Sequence, residues 1–111
     1  MHEMSLTRSI VSIVGEHAGR RRVLRVRLEI GKLSAVVPEA IRFCFDVIAQ
    51  GTVAEGAELE IIEIPGLGRC FDCGAEVEMD GPLAVCPCGS RRLLRVAGEE
   101  LKIKEMELEA A

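Results

Sequence analysis

Four of the five cysteines in this chain stand in two tight pairs, and they carry its most defined chemistry. Cys70-Phe-Asp-Cys73 is followed, after twelve residues, by Cys86-Pro-Cys88-Gly-Ser. Zinc(II) takes four thiolates at tetrahedral corners, each about 2.3 Å from the ion. A Cys-x-x-Cys turn aims two sulfurs at one point. Gly74 and Gly89 follow the pairs, where the backbone must curl and a positive φ is cheap for glycine. The second pair is Cys-x-Cys, a tighter bite. Iron in a rubredoxin-like site asks for the same four thiolates, so spacing alone leaves iron open. A set of plain buried thiols also fits. A dithiol redox motif would sit at the strand-to-helix junction of a βαβ unit, and neither pair does. Catalytic zinc keeps one position open to water, and four cysteines leave none. The expected role of Cys70, Cys73, Cys86 and Cys88 is therefore structural zinc(II). The fifth cysteine, Cys44, lies in an apolar stripe and is expected to pack as a small hydrophobe.

A second constellation lies at the start of the chain. Met1 offers an amine, His2 an amide nitrogen and an imidazole, all within a few bonds. Such a nitrogen-rich, planar or tetragonal donor set suits nickel(II) or copper(II). Glu3 adds a carboxylate oxygen or its own amide nitrogen. The ordinary alternative for His2 is an exposed side chain without a ligand. His17 is a separate case, placed near a helix end where an imidazole interacts well with the dipole.

Composition bounds what can position these groups. The 111 residues suit one compact domain with a small satellite module. Charged residues make up 29%, which argues against disorder, and three Phe with no Trp or Tyr make the core aliphatic. A net charge of −4 does not favour nucleic acid as a partner. Arg20-Arg21-Arg22 reads as a solvated turn. No apolar run is long enough to span a membrane, and the N-terminus lacks the regions of a signal peptide. A cytoplasmic location follows as the expectation; thiols stay reduced there, which favours metal over disulfides. No Ser-His-Asp set, phosphate-binding loop or paired carboxylate is present, so the chain does not read as an enzyme.

Periodicity supplies the frame. Residues 4–18 predict a helix with Leu6, Ile10, Ile13 and His17 on one stripe and Val14 beside them, ended by Gly19. Residues 23–30 alternate as a strand with Leu24, Val26, Leu28 and Ile30 inward and Val23 out of step. Pro38 and Glu39 open a second helix with Ile41, Phe45 and Ile48 on one side, widened by Phe43, Cys44 and Val47; Gly51 ends it. Residues 57–64 and 100–109 predict two more strands, the last with a slip of phase near Lys104–Met106. The fold expectation is α+β: a three-stranded sheet with two helices on one face, plus an inserted small four-cysteine zinc module. The discontinuous main domain is 1–65 and 99–111, and the module is 66–98. Exposed strand edges leave monomer and weak homodimer both open. Three arginines at 91–95 keep a zinc-ribbon interaction or nucleic-acid adaptor in view, although the module is neutral, with Arg69, Arg91, Arg92 and Arg95 against Asp72, Glu76, Glu78 and Asp80.

With these residues in place, the chain resembles the HypA/HybF family of nickel metallochaperones for [NiFe]-hydrogenase maturation. The likeness runs through Met-His-Glu-Met-Ser-Leu at residues 1–6, Leu28-Glu-Ile-Gly-Lys-Leu-Ser34, Pro38-Glu-Ala-Ile-Arg-Phe-Cys-Phe-Asp46, Gly56-Ala-Glu-Leu-Glu60 and both cysteine knuckles. The resemblance implies that His2 is the key nickel(II) ligand, with Glu3 and the Met1 amine beside it, and that the four cysteines hold zinc. It implies delivery of nickel to the hydrogenase large subunit with a HypB-type GTPase, and in some relatives to urease. One departure stands out. The family usually writes its second knuckle Cys-Pro-x-Cys-Gly, and here one residue is absent. That leaves the ligand count intact but alters the bite.

Overall fold

The computed structural model describes residues 2–110. Its elements run α1 (His2–Ala18), β1 (Val23–Gly31), α2 (Pro38–Ile48), β2 (Glu58–Ile64), β3 (Gly66–Cys70), β4 (Glu76–Met79), β5 (Leu93–Ala97) and β6 (Leu101–Leu108). They form two three-stranded sheets, ordered β2-β1-β6 and β4-β3-β5. The architecture is α+β. The chain divides into two compact units, one of residues 1–28, 36–62 and 102–111, the other of residues 29–35 and 63–101.

The first unit is built around β1. Val23, Val26 and Leu28 are buried, while Leu24 is 46% exposed. The strand therefore changes phase at its start, and the valine that looked out of step is the one inside. Val23 also donates its N–H to the Val53 carbonyl at 2.9 Å, which fixes its position. On the other face Arg25 and Arg27 cross-link the sheet. Arg27 pairs with Glu60 at 2.8 Å and with Glu105, and Arg25 with Glu60 at 3.3 Å and Glu107 at 3.7 Å. These are cross-strand pairs of opposite charge, the kind that lock neighbouring strands in register. The Arg27 hydrogen bond holds the Glu60 carboxyl below its ordinary range. Along β6 the half-buried residues are Leu101 and Ile103, then Met106 and Leu108, so the expected phase slip lies where the alternation breaks.

The helices differ in detail from their sequence pattern. α1 buries Thr7, Ile10, Val11, Val14 and Ala18, whereas Ile13 and His17 are exposed. The inward stripe is turned from the expected one by about one residue. Thr7 can lie inside because its hydroxyl donates to the Glu3 carbonyl at 2.6 Å, which leaves no unmet polar group. Gly19 ends α1 at φ 64°, donating its N–H to the Gly15 carbonyl. α2 buries Ile41, Cys44 and Phe45, but Phe43 and Val47 face outward, so its apolar width is narrower than expected. The arginine run is exposed yet employed. Arg21 donates twice to the Glu109 carbonyl, and Arg22 to that of Glu55.

The second unit contains three strands where the sequence reading saw only a cysteine-rich insert. β3 pairs antiparallel with β4, Gly66 opposite Met79 and Arg69 opposite Glu76, and with β5, Cys70 opposite Leu93. Glycines make its packing possible. A Cβ on Gly31 would stand 1.9 Å from the Gly98 carbonyl oxygen, and one on Gly66 would stand 2.3 Å from that of Met79. These neighbours are main chain and cannot swing aside. Gly31→Ala is therefore expected to destabilise this unit by about 3 kcal/mol, the upper end for overpacking. A urea melt followed by hydrogen exchange at Leu67–Cys70 measures it; an unchanged midpoint would show that the backbones separate at little cost.

Candidate functional site

The cysteine site is assembled from two loops of similar design. In the first, the Gly74 N–H reaches back to the Cys70 carbonyl and the Cys70 N–H to that of Ala75, both at 2.9 Å. In the second, the Gly89 N–H reaches the Cys86 carbonyl at 2.8 Å and the Cys86 N–H that of Ser90 at 2.9 Å. Each closing bond of the second loop spans one residue fewer. Gly74 and Gly89 turn the chain at φ 77° and 94°. The missing residue thus tightens the whole loop, and the sulfurs still converge.

All four sulfurs lie within 4.8 Å of one another. Cys70 Sγ is 3.7 Å from Cys88 Sγ, and Cys73 Sγ is 3.6 Å from Cys86 Sγ. A tetrahedron with metal–sulfur bonds of about 2.3 Å has edges of about 3.8 Å, so these spacings fit a four-thiolate ion. They are far too long for disulfides, which need about 2.05 Å. Cys70 and Cys86 are buried, and Cys73 and Cys88 exposed. The four cysteines form a metal-binding site.

Electrostatics within the cluster are uneven. The Cys73 amide, with help from that of Asp72, supports negative charge on Cys70 and brings its thiol down to about 6. The Cys88 amide acts the same way on Cys86. Burial and the neighbouring sulfurs outweigh it, and the thiol is pushed up to about 12. Cys88 is also raised, the sulfur of Cys70 and burial outweighing the Ser90 amide. Near neutral pH, Cys70 is thus a thiolate while Cys86 and Cys88 hold their protons. A divalent ion would favour the thiolate forms of Cys86 and Cys88 instead.

Around the sulfurs lies a shell that spacing did not reveal. Ser90 Oγ donates to Asp72 Oδ2 at 2.5 Å, and Arg92 reaches Asp72 Oδ1 at 3.4 Å while its guanidinium lies 5.8 Å from the centre of the Phe71 ring. Asp72 and Ser90 sit inside the two cysteine motifs, but no periodicity pairs residues eighteen apart. The same contacts bear on the arginines of the module. Arg69 faces Glu76, Arg92 faces Asp72 and Arg95 faces Glu99, so their charges are locally matched.

At the chain's start, α1 begins at His2, not residue 4. Glu3 favours this early start, because its charge sits in the first turn, where the dipole is positive. The His2 side chain is 60% exposed, and its Nε2 is 3.9 Å from Glu3 Oε2. First-turn amides have no acceptor within the helix, so the amide nitrogen of His2 is not consumed by α1. Glu3 is more occupied than the sequence reading implied. Its carboxylate accepts its own N–H and, at 3.4 Å, that of Val37, the residue capping α2. The first of these lowers its pKa, with Val37 and His2 adding to the effect. Whatever stability this carboxylate gives is present above the ordinary carboxylate range and is lost as pH falls through its depressed value. Met1, whose amine was the third expected donor, lies outside the described residues. Of the remaining candidates, His17 bonds through Nδ1 to the Ile13 carbonyl at 2.9 Å in the last turn of α1, and Cys44 is buried in α2.

Known proteins align with both ends of this picture. A family described as "Hydrogenase/urease nickel incorporation, metallochaperone, hypA" matches residues 1–108. A hydrogenase maturation factor HypA of Nostoc punctiforme is 62% identical, across 98% of this chain and 96% of the relative. One of Geobacter metallireducens is 52% identical, across 98% of this chain and all of the relative. The solution structure of a HypA protein superposes with a TM-score of 0.74 at 26% identity, covering 100% of this chain and 98% of the other. That of the nickel metallochaperone HypA from Helicobacter pylori gives 0.70 at 24% identity, covering 98% of each chain, and bears on the fold. A match over nearly the whole length, joined to a four-sulfur site and an exposed second-residue histidine, places this chain in the HypA family of hydrogenase and urease nickel-incorporation metallochaperones.

Proposed function

We propose that this chain loads nickel(II) at its N-terminus, through the Met1 amine, the His2 amide and imidazole, and a donor of Glu3, and passes it on by ligand exchange. One observation carries the reading: His2 stands exposed at the start of α1, with its amide outside the helical ladder and the Glu3 carboxylate beside its ring. Donors of this kind suit nickel(II), and the exposed His2 ring lies within reach of a competing ligand set. The recipient is the large subunit of a [NiFe]-hydrogenase, or urease, and GTP hydrolysis belongs to a HypB-type partner. The chain itself catalyses no reaction and works in the cytoplasm. Zinc(II) is the resident ion of Cys70, Cys73, Cys86 and Cys88, and it holds the two loops together. Sulfur donors suit zinc, and four of them leave no place for a reacting water.

The chain end supplies the direct test. A peptide fused ahead of Met1 converts the amine to an amide and removes a donor, while α1 from His2 onward is unaltered in sequence. Nickel titration followed by calorimetry should show affinity lowered by roughly 10-fold or more, with the zinc content unchanged. Equal affinity with and without the extension would place the nickel elsewhere.

A further inference from the structure

The first and second cysteine loops are joined by more than their sulfurs. Ser90 is the exit residue of the second loop, where its carbonyl accepts the Cys86 N–H at 2.9 Å. Its hydroxyl donates to Asp72 Oδ2 at 2.5 Å and accepts the Arg92 N–H at 3.1 Å, so neither role of the hydroxyl is left to rotate. Asp72 lies between Cys70 and Cys73, within the first loop. The Phe71 N–H donates to the Arg92 carbonyl at 2.9 Å, and the Arg92 guanidinium returns to Asp72. A closed circuit of hydrogen bonds therefore ties the exit of one loop to the middle of the other without using a sulfur.

We propose that Asp72 and Ser90 are positioning residues of the four-sulfur site: their hydroxyl–carboxylate bond sets the separation of the two loops and offsets the shorter reach of the second. The reading rests on the cysteines holding a metal ion. Four thiolates around a divalent ion carry a net charge of −2 and repel one another once the ion begins to leave. In a Cys-x-Cys loop the backbone between the sulfurs has one residue less in which to adjust. The loop must then be placed from outside, and its exit is the point of attachment. Arg92 partly neutralises the carboxylate that would otherwise add to the negative charge nearby.

Release of zinc from the full chain to an excess of a chromophoric chelator measures this. Groups outside the ligand set that orient a metal site change its affinity by 10- to 100-fold. Ser90→Ala should release zinc about 10-fold faster than the unaltered chain. Ser90→Thr, which restores the hydroxyl, should bring the rate back, and nickel uptake at the N-terminus should be the same in all three. Asp72→Asn is the gentler second variant: it keeps an acceptor oxygen but no charge, and should fall between them. Cobalt(II) substitution shows that the comparison concerns the same site, since a four-thiolate cobalt spectrum should survive in Ser90→Ala. Release rates for Ser90→Ala and Asp72→Asn both within about twofold of the unaltered chain would overturn the clasp. A chain that gives no four-sulfur cobalt spectrum even when unaltered would overturn the metal reading, and the clasp with it.

Discussion

Replacing His2 by Ala should abolish stoichiometric nickel binding while leaving the four-sulfur site and both sheets intact. Among the described residues at the chain's start, the imidazole is the side chain that is both exposed and a good donor to nickel(II). Its loss also unhooks the chelate, because the His2 amide is a strong donor only when flanking groups hold the ion against it. Outer groups alone are worth 10- to 100-fold at metal sites, so loss of a ligand should cost at least about 100-fold, equivalent to about 2.7 kcal/mol. The core of the first unit does not include this ring. The core of the first unit is made by Val14, Val26, Leu28, Ile41 and Phe45, all at most 1% exposed. Glu3 is the opposite case. It links α1 to the Val37 N–H at the head of α2, so its substitution mixes ligation with packing, and His2→Ala is the cleaner experiment. Calorimetric titration of authentic-ended protein, with nickel and zinc counted separately, would measure the effect. Unchanged nickel uptake in His2→Ala protein would remove the N-terminus from the proposed mechanism.

The contrast between His2 and Glu3 shows where sequence reasoning reaches its limit here. The cysteine ligands were legible because a chelating turn is local: four residues and a glycine determine where two sulfurs point. The existence of α1, β1, α2, β2 and β6 was legible from periodicity for the same reason. Which face of each would be inward was not. In α1, apolar residues at 6, 10, 11, 13 and 14 form an arc broad enough for two orientations, and tertiary packing chose the one that buries Thr7 and exposes Ile13. In β1, Val23 and Leu24 are equally apolar, and the hydrogen bond from Val23 to Val53 decided between them. β3, β4 and β5 escaped notice because they are four or five residues long, and β3 carries glycines where its backbone is closely approached. The bond between Asp72 and Ser90 joins residues that only a folded chain brings together. Interactions closed within one turn were readable; those closed by the fold were not.

Stripping the ion from the four cysteines should unfold their loops and leave the helical unit standing. The second unit has little apolar material inside. Ile30, Cys70, Met79 and Cys86 are buried, whereas Phe71, Leu83, Val85, Leu94 and Val96 are at least 43% exposed. Strands this short with so small a core cannot offset the entropy of ordering them, so metal binding supplies the difference, about 10 kcal/mol in comparable sites. Cys86→Ser should act similarly, because it removes one of the two buried sulfurs. Hydrogen exchange would separate the units: protection at 67–70 and 93–97 should be lost, while that of Val26, Leu28, Ile41 and Phe45 persists. Acid should reproduce the effect. Near neutral pH, Cys86 and Cys88 hold protons that the ion must expel, so each unit fall in pH should weaken binding by at least about 100-fold. Below about 6 the Cys70 thiol takes up a proton as well, and the dependence steepens. The sign is fixed by chemistry, since only thiolates bind: affinity is greatest in base and is lost toward acid. Cobalt-substituted protein titrated downward from pH 8 would report it through the thiolate charge-transfer band. A band that survived acid with a dependence of less than one proton would mean that the four sulfurs do not share one ion.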